Sequence, residues 1–192
     1  MSTIDRGHRE SVTARHAEER PGAGERSLAV LRITTGLLFL WAFADKAFGF
    51  GYATTSSNAW INGGSPTKGF LSRVEVGPFA DTLRSWAGAG WADWLFMLGL
   101  LAVGVAVTLG IGLRIAAAAG AVMMLFMWVA EWPLNQTTAT GEPTMSTNPI
   151  IDYHVIYAIV LIALAATAAG NRWGFGEHWS RMSLVERNPW LR

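Results

Sequence analysis

Four stretches of about twenty mostly apolar residues constrain this chain more than any other feature, because each can cross a hydrocarbon layer of roughly 30 Å as a helix. They are residues 28–48, 91–109, 113–132 and 150–169. The chain has 192 residues, 51% of them hydrophobic, and its mean hydropathy is positive. That composition fits one membrane domain better than a soluble one. The expected fold is all-α: an integral membrane four-helix bundle over 28–180. A polar tail of mixed charge (1–27) precedes it and a C-terminal tail (181–192) follows, both cytoplasmic. The N-terminal tail lacks an apolar face and is expected to be disordered.

Ionisable residues gather near the ends of the stretches: Asp45, Lys46, Asp93, Glu131, Asp152 and His154. If the helices alternate in direction, all six fall at one membrane face, where charge is costly and needs a reason. Sidedness follows from Lys and Arg. Eleven basic residues lie on the side of the termini and the 110–112 turn, against Lys46, Lys68, Arg73 and Arg84 on the other. The positive-inside rule places both termini in the cytoplasm and turns the polar mouth outward, which implies a multi-pass plasma-membrane protein. That outer side carries seven acids (Asp45, Glu75, Asp81, Asp93, Glu131, Glu142 and Asp152) against its four bases.

The loop after the first stretch is too aromatic for a plain linker. Ser65–Pro66 reads as an N-cap followed by proline at the first helical position. Phe79, Leu83, Trp86 and Trp94 give it an amphipathic pattern. It is expected to form an ordered cap outside the membrane. The second and third stretches are joined only by residues 110–112, hence a tight hairpin. Small residues such as Gly104 and Gly120 let helices approach closely. Pro133 stops the third helix, and Asn148–Pro149 reads as the start of the fourth. There are no cysteines, which excludes disulfides, thiol redox chemistry and iron–sulfur clusters. No nucleotide, haem, HExxH or nucleic-acid signature is present.

Helical spacing selects the groups that can meet. Asp45 lies one turn from Trp41; Glu131 shares a face with Met124, Met127 and Trp128; His154 shares a face with Tyr157. Asp152 precedes His154 by two residues, about 200° around an ideal helix, so both cannot point into one small site. His154 and Tyr157 are therefore read as inward, and Asp152 as an acid favouring the helix N-terminus. The resulting pocket near the outer leaflet has flat walls from Trp41, Trp128 and Tyr157, and donors from Lys46 and His154. Glu131 and Asp45 supply a proton route. That inventory suits a quinone ring. Lys46 and Glu131 are expected to interact. The competing reading is structural: headgroup-level charges, a snorkelling Lys46, a helix-fixing ion pair and aromatic packing. A metal centre from Glu131, Asp152 and His154 has one imidazole and no diagnostic spacing, so the sequence assigns no metal. Arg32 and Arg114 read as orientation anchors on the inner side.

The run RITTGLLFLWAFADKAFGFG, then AWINGGSPTKGFL, then the hairpin DWLFMLGLLAVGVAVTLGIGLRIAAAAGAVMMLFMWVAEWP, then NPIIDYHVIYAIVLIALAATAAGNRWGFG, resembles the DoxX family of small four-helix membrane proteins. The resemblance covers residues 28–179. It implies a four-helix bundle and kinship to the membrane subunit of thiosulfate:quinone oxidoreductase and to DoxX proteins that associate with redox-defence partners. It assigns no catalytic residue. An anion such as thiosulfate would be repelled by the acidic mouth unless Lys46, Lys68 and Arg73 converge.

Two functions of different class follow. The first is a plasma-membrane redox protein that binds a quinone and acts as a subunit of an oxidoreductase. The second is a non-catalytic accessory or assembly subunit of a respiratory membrane complex. Small-residue helix faces suit contacts with a membrane or redox protein, or with a second copy. A transporter is disfavoured, because four helices without internal duplication are few for alternating access.

Overall fold

The computed structural model describes residues 22–144 and 146–191. Most of the expected N-terminal tail lies outside those residues. Among the described residues there are eight α-helices: α1 Ala23–Phe48, α2 Lys68–Leu71, α3 Ala80–Ser85, α4 Gly90–Leu109, α5 Leu113–Glu131, α6 Tyr153–Ala166, α7 Gly176–Ser180 and α8 Ser183–Arg187. No strand occurs among the described residues; Thr137 and Pro143 form an isolated bridge.

Helices α1, α4 and α5 are long and apolar enough to cross a membrane. Their flanks expose Leu37, Leu95, Leu98, Val122, Leu125 and Phe126, a surface that water would leave unsatisfied and lipid would cover. The fourth apolar stretch folds differently from its expected 150–169 span. Its helix is the 14-residue α6, about 21 Å long at 1.5 Å per residue. Asn148 Oδ1 accepts from the Ile150 and Ile151 amides, which holds the start of the stretch in a turn, and Asp152 becomes the N-cap. At the other end Ala168 takes φ +48° and a short 3₁₀ turn follows. Helix α1 begins five residues before the expected start.

Helix α1 packs on α4, α4 on α5, α5 on α6, and α6 touches α1. Phe39, Met97, Val103, Val107, Met124, Leu161 and Leu164 form the shared core. Glycine makes these approaches possible. A Cβ at Gly36 would lie 2.5 Å from the Thr108 amide nitrogen, and one at Gly120 would lie 2.5 Å from Leu161 Cδ1. The hairpin turns through Gly110 and Gly112, both with positive φ.

Arg32 corrects the sequence expectation of an inner-surface anchor. It is fully buried, and its guanidinium donates to five backbone carbonyls. Val107 and Thr108 close α4, whereas Ala169, Arg172 and Trp173 belong to the chain after α6. Carbonyls at a helix C-terminus lack intrahelical donors and carry partial negative charge. A planar group with five N–H donors satisfies several at once. Arg114 does lie at the surface and donates to the Pro189 carbonyl. The C-terminal segment is folded: Val185 is buried, and Trp179 Nε1 donates to the Leu191 carbonyl.

The cap is ordered by two acids that the sequence placed at the mouth. Asp93 Oδ1 accepts from Ser65 Oγ at 3.0 Å, Thr67 N at 2.8 Å and Thr67 Oγ1 at 2.6 Å. Asp45 accepts from the Tyr52 and Ala53 amides. Ser65 Oγ accepts from the Lys68 amide, so it serves the start of α2 as a capping side chain. Val74, Ala80 and Leu83 then bury against Ala130 at the end of α5.

Candidate functional site

The site lies where α1 and α5 end and α6 begins. A cavity of about 1190 Å³ opens between the cap and the 133–152 segment. Lys46 comes from the last turn of α1, Glu131 from the last residue of α5, and Asp152 and Tyr153 from the N-terminus of α6. Ala130, Phe70, Pro66 and Val74 supply apolar wall. Lys68 and Arg73 line it as well, against Glu75, Glu131 and Asp152. Its charge is therefore balanced by type.

Two hydrogen-bonded pairs organise the α5–α6 side of the site. Tyr153 Oη donates to Glu131 Oε1 at 2.7 Å. His154 Nδ1 lies 2.8 Å from Asp152 Oδ2 and 3.9 Å from Glu131 Oε2. Asp152 Oδ1 accepts from the Val155 amide, the bond of an N-cap. His154 is 1% exposed, and its Nε2 has no protein partner. The expectation that Asp152 and His154 must diverge is overturned. It assumed helical backbone at both residues, but Asp152 has φ −107° and ψ −172°. An extended N-cap folds its carboxylate back over the first turn, and His154 stands in that turn.

The sequence-predicted site residues separate into two sets. Lys46 and Glu131 line the cavity, and His154 reaches it through Asp152. No Lys46–Glu131 ion pair is formed among the described residues; Glu131 is engaged by Tyr153 and neighbours His154. Asp45 is buried and committed to the cap amides. Trp41 is half-exposed on the outer surface of α1, stacked on Phe50 at 5.7 Å and edge-on to Tyr52 at 5.2 Å. Trp128 donates through Nε1 to the Ile150 carbonyl, so it ties α5 to the approach of α6. Tyr157 packs against the core, edge-on to Tyr153. Sequence reasoning missed Tyr153. The signal was present as Asp-Tyr-His: an N-cap aspartate puts the next two residues in the first turn, beside whatever ends the neighbouring helix.

Chemically, the arrangement offers the Lys46 amine and the Glu131 and Asp152 carboxylates, the two acids held by fixed donors. A buried imidazole and a phenol complete it, at the rim of an apolar slab. It can hold and exchange protons and can orient a ligand that carries carbonyl or hydroxyl oxygens. No family model, curated protein or solved structure matches the chain.

Proposed function

We propose that the protein is a DoxX-like four-helix protein of the plasma membrane, with both termini cytoplasmic. In this reading it binds a quinone headgroup in the cavity under its cap and works as a subunit of an oxidoreductase. The observation that carries the reading is the convergence of Lys46, the Tyr153–Glu131 pair and the Asp152–His154 pair on one cavity where apolar helices end. A quinone needs an apolar approach, a donor to each carbonyl and a proton route. Lys46 supplies a donor, the two pairs supply exchangeable protons, and the lipid-level walls admit an apolar tail. The site set is revised accordingly: Tyr153 and Asp152 join Lys46, Glu131 and His154, whereas Trp41, Trp128, Tyr157 and Asp45 act in packing and cap order. Without cysteine, electron transfer would use the quinone, a bound organic cofactor or a partner protein.

The accessory-subunit reading has its own observation. Trp41, Phe48, Phe50 and Tyr52 form an exposed aromatic cluster in which Phe50 packs on Trp41 and Phe48, and Tyr52 lies edge-on to Trp41, and aromatic surface suits both membrane interfaces and protein partners. Purification in mild detergent with mass spectrometry of bound lipids and proteins separates the two. Quinone at about one per chain supports the first reading; a stoichiometric complex without quinone supports the second. The topology is checked by single cysteines at Thr140 and Ser183, both exposed. An impermeant reagent on intact cells should label the first and spare the second; the reverse pattern would invert the orientation.

A further inference from the structure

We infer that Glu131, Asp152 and His154 form a binding site for one divalent first-row transition-metal ion. One ligand atom from each residue falls within a set whose members all lie within 4.8 Å of one another. The geometry identifies them. Each carboxylate has one oxygen tied to a fixed donor and the other turned to the imidazole. Glu131 Oε1 is held by Tyr153 Oη, leaving Oε2 3.9 Å from His154 Nδ1. Asp152 Oδ1 is held by the Val155 amide, leaving Oδ2 2.8 Å from the same nitrogen. Outer donors of this kind orient metal ligands and raise affinity.

Metal–ligand bonds of about 2.1 Å place adjacent ligand atoms roughly 3.0–3.4 Å apart. The His154–Asp152 spacing needs only a slight opening, and Glu131, the most exposed of the three, has to close from 3.9 Å of His154 Nδ1 within a set that spans no more than 4.8 Å. Charge points the same way. Neither carboxylate pairs with a lysine or arginine among the described residues, so the two negative charges beside a buried ring call for a cation. One nitrogen and two carboxylate oxygens select Zn²⁺, Mn²⁺ or Fe²⁺ over Mg²⁺ and Ca²⁺, which prefer all-oxygen shells. Glu131 and Asp152 line the cavity, which gives the ion an entry path and leaves its remaining positions open to water or a ligand. The site stands on these three residues and does not depend on a quinone being bound.

The test uses tag-free full-length protein in mild detergent, stripped with a chelator and titrated with Zn²⁺ or Mn²⁺ alone. One equivalent should bind, and a tenfold excess of Mg²⁺ should not displace it. Glu131→Gln and His154→Asn should each weaken binding at least about tenfold, and Tyr153→Phe by roughly tenfold through the lost orienting bond. Pulsed electron paramagnetic resonance of the Mn²⁺-loaded wild type should show ¹⁴N coupling from one imidazole. That readout decides the matter if the variants do not fold. Less than one equivalent, displacement by Mg²⁺, no ¹⁴N coupling, or wild-type affinity in a folded Glu131→Gln or His154→Asn variant would each overturn the site.

Discussion

Arg32→Met should destabilise the protein by about 3 kcal/mol or more, the largest loss expected from any single polar side chain in it. Hydrogen bonds from a charged donor contribute about 1.5–3 kcal/mol each, and buried acceptors left without a partner cost about 1–3 kcal/mol each. Arg32 serves five carbonyls, and water or neighbouring groups will replace only part of that. Methionine keeps much of the volume, so the loss reads the guanidinium and not a cavity. The contacts join residues 75 to 141 positions apart in sequence. The change should therefore loosen the start of α1, the end of α4 and the chain after α6 together. Unfolding in detergent, followed by helical circular dichroism against denaturant, measures the loss, and Arg114→Met serves as the surface control. A loss for Arg32→Met no larger than that control would mean that the carbonyl cluster is satisfied in some other way.

Asp93→Ala should release the cap. Three donors converge on one oxygen of a buried carboxylate, and all three come from residues 65–67. Removing that acceptor should cost about 2–4 kcal/mol of cap stability, reckoned from two or three charge-assisted bonds less partial replacement by water. Amide exchange in the 63–74 segment should rise by at least about a hundredfold, while the centres of α4 and α5 change little. Asp93→Asn retains an acceptor and should fall between. Exchange in 63–74 that is already fast in the wild type would remove the ordered cap, and with it the outer wall of the cavity.

The long helices were readable because their signal is local. Hydrophobic runs, the 110–112 turn and Pro133 fix α1, α4 and α5 to within a few residues, without reference to neighbours. The short helices α2 and α3 of the loop fit local signals as well, its aromatic content and Ser65–Pro66. What failed needed knowledge of backbone conformation or of distant partners. An ideal-helix wheel sent Asp152 away from His154. The actual extended N-cap brings them to 2.8 Å, and the same departure shortens α6. Arg32 looked like an interface anchor because nothing near it in sequence reveals the ends of α4 and α6 that it joins. Asp45 resembled a site acid and Asp93 one more charge at the mouth, but both turn to loop amides or hydroxyls that are legible only once the cap is folded. Trp41 and Trp128 were aromatic in the right stretches, yet one faces outward and the other holds the Ile150 carbonyl.

The central claim is that the cavity under the cap receives a quinone through Lys46, and the quinone content of three purified proteins tests it most directly. Wild type, Lys46→Met and Trp41→Leu are extracted from membranes in mild detergent and assayed for quinone per chain. The expected result is about one quinone in the wild type and in Trp41→Leu. Lys46→Met should show at least a tenfold fall, the loss of about 1.4 kcal/mol or more of binding free energy. Because Lys46 is not among the three metal ligands, Lys46→Met should still bind Zn²⁺ as the wild type does. A wild-type protein without quinone, or a Lys46→Met variant that retains it, would contradict the account.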